Sequence, residues 1–324
     1  MATGCGRVRN MRIVSLLPSA TEILFGLGFD HEIVGVSHEC DFPLRARTKT
    51  AVIHSRIPKD TPPAAIDRMV RDYIARGESL YAVDAEILED LAPDLIITQD
   101  LCHVCAASPE DLAMALAKFD RRPEVLCLNP QDLRDVWRDI LWVGEETKRT
   151  ARAEAIVEMI GERIGELEIM MDAVQTRPRV VLLEWLQPFY VGGHWVPEMI
   201  ERAGGVDVIG KAEAPSFRVS EEQIISTAPD VMIVAPCGYS KEQSRDEYLS
   251  LTFSPEWAKI PAVRNGRVYA MDANSYISRP GPRLVTGMEA MAKAIHPYIS
   301  VRAGAEAALL PINPALRNAQ TATA

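Results

Sequence analysis

Residues 133–174, LRDVWRDILWVGEETKRTARAEAIVEMIGERIGELEIMMDAV, carry an almost uninterrupted helical pattern, and the rest of the chain divides around them into two halves that resemble each other. Apolar side chains recur at Leu133, Val136, Trp137, Ile140 and Leu141, then at Ile156, Met159, Ile160, Ile164, Leu167, Met170, Met171 and Val174, with charges between, as in an amphipathic helix. The polar stretch around Lys148 holds Thr147 and Thr150, either able to cap a new helix, which predicts two consecutive helices with a break near Lys148. The second, Thr150 to Val174, would be about 37 Å long at ~1.5 Å per residue, enough to run along one side of two small domains. Trp137 and Trp142 on these helices read as packing groups.

Upstream, Arg12 to Leu17 reads as a strand stopped by Pro18 and Ser19, followed by a helix ending in Gly26-Leu27-Gly28. Glu32 to Ser37 is a second strand, which delivers His38, Glu39, Cys40 and Asp41. From Thr48 the pattern is irregular, with Pro58, Pro62 and Pro63, until a helix from Ala64 to Ala75; Leu80 to Val83 is a short strand and Asp84 caps a helix to Leu91. Ala92-Pro93-Asp94-Leu95-Ile96-Ile97-Thr98 then turns into a buried strand leading to Cys102-His103-Val104-Cys105. A helix from Ser108 to Ala117 and a strand from Glu124 to Leu128, with Cys127 as a core residue, complete this half.

After Pro178 the plan repeats. Arg179 to Leu183 mirrors Arg12 to Leu16, a helix from Val196 ends in Ala203-Gly204-Gly205, and Ala228-Pro229-Asp230-Val231-Met232-Ile233-Val234 nearly copies Ala92 to Thr98. Matching neighbours on both sides make duplication of a lobe the better explanation than chance. Strands alternating with helices imply parallel βα units. The expected architecture is α/β, with two parallel-sheet lobes joined by a long helix; if the lobes face each other, their strand ends line one cleft. Residues 1–132 form the first lobe, 133–177 the connecting helices, 178–297 the second lobe and 298–324 a loosely ordered tail.

The 324 residues are 48% hydrophobic and 25% charged, an ordinary globular composition, and a formal charge of −10 without a basic block argues against nucleic acid or an anionic membrane as partner. No stretch reaches the ~20 apolar residues of a membrane span. Without a visible leader ahead of Met11 the sequence as written reads as cytoplasmic; a missing leader would make it periplasmic or extracellular. Six cysteines are too few for a disulfide scaffold.

Ligands of open parallel sheets bind beyond the carboxyl ends of the strands. The residues there are Pro18 and Ser19 in the first lobe, and Glu184, Trp185, Phe189, His194, Trp195, Tyr239, Asn274, Tyr276, Ser278 and Arg279 in the second. The aromatic rings suit a flat apolar ligand, His194 after Gly192-Gly193 can serve as an axial metal ligand, and Arg279 with Arg283 can meet a carboxylate or phosphate. A thiol set, Cys40, Cys102, Cys105 and Cys237 with His38, is open to three readings: a zinc or other transition-metal site, a redox pair, or packing. No Ser-His-acid arrangement, Walker loop or GxGxxG follows a strand, which favours binding over catalysis; the enzyme alternative is a cleft cysteine nucleophile assisted by His38 or His194.

Ile13-Val14-Ser15-Leu16-Leu17-Pro18-Ser19-Ala20-Thr21-Glu22 followed by Gly26-Leu27-Gly28, the two Ala-Pro-Asp segments and the central helix together resemble the vitamin B12 and iron-siderophore (class III) substrate-binding proteins of ABC importers, most of all the cobalamin-binding branch. The resemblance covers about residues 12 to 297. It implies capture of cobalamin or another metal chelate between the lobes without chemistry, and an ABC transporter permease as partner. The thiols depart from it and keep a zinc- or copper-binding alternative open.

Overall fold

Two sheets organise the chain in the computed structural model, which describes residues 11–58, 61–99, 109–117 and 119–313. By internal contacts the first unit runs to Asn129 and includes Trp142–Ala153, and the second is Pro130–Leu141 with everything from Glu154.

The first unit contains β1 (Ile13–Ser15), α1 (Pro18–Leu27), β2 (Ile33–Ser37), β3 (Thr50–Ser55), α2 (Pro63–Arg76), β4 (Tyr81–Val83), α3 (Ala85–Leu91), β5 (Leu95–Gln99), α4 (Pro109–Leu116) and β6 (Glu124–Leu128). Its sheet order is β4-β3-β2-β1-β5-β6, parallel except for β4. Val14, Leu16, Val52, Leu88, Ile96 and Leu112 form part of its core. Strand β3 falls where the sequence reads as irregular. Its short Val52-Ile53 run carries no alternation to announce it, yet both side chains are buried once β2 supplies a parallel partner.

The connecting stretch is α5 (Leu133–Glu146) and α6 (Thr150–Asp172), and the break falls at Lys148, whose φ is 58°. Thr147 donates back to the Val143 carbonyl at 2.6 Å, and a Cβ on Gly144 would overlap Ala153, so the first turn of α6 packs onto a bare backbone. Trp142 corrects the packing expectation: it is 37% exposed and its indole N–H reaches Glu146 at 3.3 Å.

The second unit holds β7 (Arg179–Leu186), β8 (Phe189–Val191), α7 (Val196–Arg202), β9 (Val206–Asp207), β10 (Phe217–Arg218), α8 (Glu221–Thr227), β11 (Val231–Val234), α9 (Lys241–Ser250), α10 (Pro261–Arg264), β12 (Val268–Met271), α11 (Ala273–Tyr276), α12 (Leu284–Ile295), α13 (Ala303–Ala307) and β13 (Leu309–Pro311). The order is β10-β8-β7-β11-β12-β13, with β9 beside the start of β7. β7, β9, β11 and β12 are parallel, and antiparallel β8, β10 and β13 refine the expected all-parallel sheet. Val181, Leu183, Met232, Val234, Tyr248 and Trp257 pack in its core. The stretch read as the start of a loose tail instead carries α13 and β13, which pairs with β12, and Ile312 is 1% exposed. Its three-residue strand is too short for periodicity to reveal.

The duplicated heptapeptide has one structural job in both units. Ala92 ends α3 at φ 39° and Ala228 ends α8 at φ 44°, proline prevents the helix from resuming, and the aspartate accepts the N–H of the neighbouring strand's first arginine. Asp94 Oδ2 takes the Arg12 N–H at 3.0 Å and Asp230 Oδ2 that of Arg179 at 2.9 Å; each aspartate N–H returns to the arginine carbonyl at 2.8 Å. Each guanidinium then fills a carbonyl near the end of the helix, Leu91 at 2.7 Å and Thr227 at 2.7 Å.

Candidate functional site

In the first unit β1 ends at Ser15, and Pro18 starts α1 with the φ that a first helical turn needs. The join is tied from inside: Thr21 donates to Ser15 Oγ at 2.8 Å, its hydroxyl lies 3.0 Å from Cys40 Sγ, and Ser15 donates to the Leu17 carbonyl at 3.1 Å. This network fixes Pro18, half-buried, and Ser19, 2% exposed, at the strand end. Cys40 is buried with that hydroxyl network. His38 bonds the Ile53 carbonyl through Nδ1 at 3.0 Å, and its Nε2 is 3.9 Å from Glu39. Cys102, His103 and Cys105 lie outside the described residues. Among the described residues no three His, Cys, Asp or Glu side chains gather as a metal ion requires, so they offer no zinc site by themselves.

In the second unit the corresponding strand is longer. β7 runs past the sheet's shared length to Glu184 and Trp185 and folds back through β8. Ser216 donates a short bond to Glu184, and the Glu184 carbonyl accepts the Cys237 N–H at 3.0 Å, so this strand end is braced from two loops. The Trp185 indole N–H closes its own turn on the Gln187 carbonyl at 3.1 Å, and its ring meets Tyr239 edge-on, centroids 5.8 Å apart. Tyr239 follows β11. Beside it Gly238, at φ 89°, gives its N–H to Asn274 Oδ1 at 3.1 Å, joining the ends of β11 and β12.

His194 occupies left-handed backbone space at φ 50°. The conformation is held by its N–H on the Ala214 carbonyl at 2.7 Å and its carbonyl on the Glu213 N–H at 3.1 Å; a Cβ on Gly193 would strike Ala214 and Ser216. Its Nδ1 is buried without a hydrogen-bond partner, and burial lowers its pKa, which keeps the imidazole neutral. Tyr276 lies under the Arg283 guanidinium at 5.8 Å, and Ser278 and Arg279 are half-buried in the same loop.

Two aromatic residues expected at the ligand make packing contacts. Phe189 stacks on Trp257 at 5.5 Å and on Phe253 at 6.2 Å, against the sheet's core. Trp195 is 4% exposed, and its indole N–H is spent on the Ile277 carbonyl at 2.8 Å. Their glycine- and proline-bounded surroundings read as loop, whereas Phe189 opens β8, partly buried, and Trp195 immediately precedes α7.

The model of the periplasmic binding protein family matches residues 13–275. The chain belongs to this family. Among periplasmic binding proteins and their relatives, YvrC of Bacillus subtilis, an uncharacterized ABC transporter substrate-binding lipoprotein, is 24% identical, covering 88% of this chain and 80% of its own. The vitamin B12-binding protein of Vibrio vulnificus is 23% identical over 86% of this chain and 87% of its own. The solved apo structure of the periplasmic heme-binding protein RhuT from Roseiflexus shares the fold, with a TM-score of 0.67 at 24% identity, covering 89% of this chain and 98% of that one. The two α/β lobes are thus those of a class III periplasmic binding protein.

One residue of this periplasmic binding protein's strand-end set escaped the sequence reading. Ser216, which braces Glu184, sits in a loop without periodicity. A cavity of about 460 Å³ in the second unit is lined by none of the strand-end residues. Its Arg163 and Arg302 are both committed to buried Glu289.

Proposed function

We propose that this chain captures cobalamin or a related planar metal chelate and presents it to the permease of an ABC importer. The observation that carries the reading is the braced strand end of the second unit, where Trp185 near the end of β7 meets Tyr239 after β11; His194, whose pKa burial lowers, follows β8. Rings held in place offer flat apolar area at little entropic cost, and an uncharged imidazole suits a metal centre or a polar edge of the ligand. Asn274, Tyr276, Ser278 and Arg279 would lie toward the ligand's polar rim. Family membership and the names of the relatives, a vitamin B12-binding protein and a transporter-associated lipoprotein, support the same reading.

The chemistry required is desolvation and fit, with no bond made or broken.

The test is calorimetric titration of the full chain with hydroxocobalamin and, separately, with hemin. One-to-one heat with hydroxocobalamin, weakened about tenfold by Trp185→Ala at unchanged melting temperature, is the expected result. Heat with hemin alone would move the ligand to porphyrins, and heat with neither would overturn the reading.

A further inference from the structure

Strand β7 carries an extra residue where its hairpin with β8 closes. Leu183 pairs with Val191 and Trp185 with Tyr190, so β7 sets two residues against one and Glu184 is the extra. A bulge of this kind re-aims a side chain. Here the Glu184 carboxylate crosses the end of β8: Oε1 lies 3.5 Å from where a Cβ on Gly192 would stand, and Oε2 takes the Ser216 hydroxyl from the segment beyond. That segment continues the β8–β10 register, Phe217 on Val191, which sets Ser216 opposite Gly192 and Ala214 opposite His194. The Ala214 carbonyl accepts the His194 N–H at 2.7 Å and the Glu213 N–H reaches the His194 carbonyl at 3.1 Å. The bond between Glu184 and Ser216 therefore closes the same two segments that hold His194.

The imidazole is held as well. It stacks on Trp195, centroids 5.7 Å apart, and the Trp195 indole is anchored on the Ile277 carbonyl at 2.8 Å. Nδ1 is buried and has no hydrogen-bond partner among the described residues, so the partial exposure of the residue leaves Nε2 as the outward nitrogen. Orphaned N–H groups are rarer in protein interiors than orphaned acceptors, which places the proton of the neutral ring on Nε2. A metal would need the opposite tautomer, with Nδ1–H given to a carboxylate, a carbonyl or water.

We propose that His194 meets the ligand as an Nε2–H donor to a peripheral oxygen, an amide carbonyl or carboxylate on the chelate's side chains, and not as a ligand of its metal, and that Glu184, through Ser216, is the positioning residue that fixes this donor. The inference rests on the reading that the strand end of the second unit binds a planar metal chelate.

The experiment measures the Kd of two corrinoids for the full chain and its variants: cyanocobalamin, whose axial positions are filled by tight ligands, and hydroxocobalamin, whose cobalt carries an exchangeable one. His194→Ala should weaken both by about fivefold, the loss of one hydrogen bond, and the cobalt absorption of hydroxocobalamin should show no replacement of its oxygen ligand by imidazole on binding. Ser216→Ala and Glu184→Ala should each weaken both by about threefold, Ser216→Thr should restore native binding, and neither alanine should add to the loss in a His194→Ala background. Tighter binding of hydroxocobalamin with an imidazole-type cobalt spectrum would overturn the donor assignment, as would an unchanged Kd in His194→Ala. Full losses from Ser216→Ala and Glu184→Ala in the His194→Ala background would overturn the positioning role. Failure of the native chain to bind either corrinoid would count against the ligand reading instead. Long-range proton–nitrogen correlation spectra of the unliganded chain then decide, with the His194 signals identified by their loss in His194→Ala: an Nε2–H pattern supports the donor, and an Nδ1–H pattern overturns it.

Discussion

Arg12 and Asp94 close the corner between β1 and α3 in the first unit, and Arg179 and Asp230 close the same corner between β7 and α8 in the second, with backbone-to-carboxylate bonds of 3.0 and 2.9 Å. The likeness extends to the helix after each first strand. Gly28 at φ 89° and Gly204 at φ 81° end those helices in left-handed turns, each followed by an N–H that reaches back to close the turn. At the other end of the same strands the units part. β1 stops at Ser15 and enters α1, whereas β7 continues to Leu186 and doubles back as β8, bringing Trp185, Gly193 and His194 with it. What the two units share maintains the sheet; what they do not share is where they differ in chemistry.

The glycine corners offer the widest test of how alike the copies are. His296, 1% exposed, holds the Gly204 carbonyl at 3.2 Å, while exposed Arg152 holds the Gly26 carbonyl at 2.7 Å. His296→Ala should cost about 3 kcal/mol, a cavity plus a lost bond, and Arg152→Ala under about 1 kcal/mol by urea unfolding; equal losses would mean the two clamps are interchangeable.

Helix α5 belongs to neither copy, and its Asp139 gives the next effect. The side chain is 4% exposed with Oδ2 unpartnered, and burial raises it to about 7. Folded protein thus keeps the proton that unfolded chain loses near 3.8, so stability is full below about pH 4 and falls as pH rises toward 7. Asp139→Asn should add about 2 kcal/mol at pH 8, half of what such a shift carries in full, and nothing near pH 3. A gain independent of pH would remove burial of this carboxyl as the cause.

For the aspartate clips, Asp94→Ala and Asp230→Ala should each lose about 1.5 kcal/mol, and in the double variant the losses should add. A marked inequality would show that one copy has shifted its load to other contacts, and Arg121, paired with Asp94 at 3.1 Å, is where to look first. The smallest effect separates the two edges: Trp185→Ala should weaken hydroxocobalamin binding roughly tenfold, about 1.4 kcal/mol, while leaving the urea midpoint in place. A large drop in that midpoint would return Trp185 to the core.

Features governed by local rules were legible in the sequence. The break at Lys148, the Asp84 cap on the Ile87 N–H at 3.0 Å and the paired Ala-Pro-Asp turns depend on residues within a few positions of one another. Strand β3, the β7–β8 hairpin and β13 depend on distant partners: β3 lies between β2 and β4, and β13 closes on β12 from beyond the last long helix. The site divided the same way. Trp185 and Tyr239 stand where their strands deliver them, but the stacking of Phe189 on Trp257, the Trp195 bond to Ile277 and the bond from Ser216 are set by packing between segments far apart in the chain.

The aspartate clips lie where neighbouring central strands of each sheet begin, and each joins residues of a single unit. For protein engineering this is a division between chassis and payload. On the proposed reading, the loops after β7, β11 and β12 would be the part to exchange among relatives or randomise in a library, while the Arg12–Asp94 and Arg179–Asp230 anchors stay fixed as the common frame.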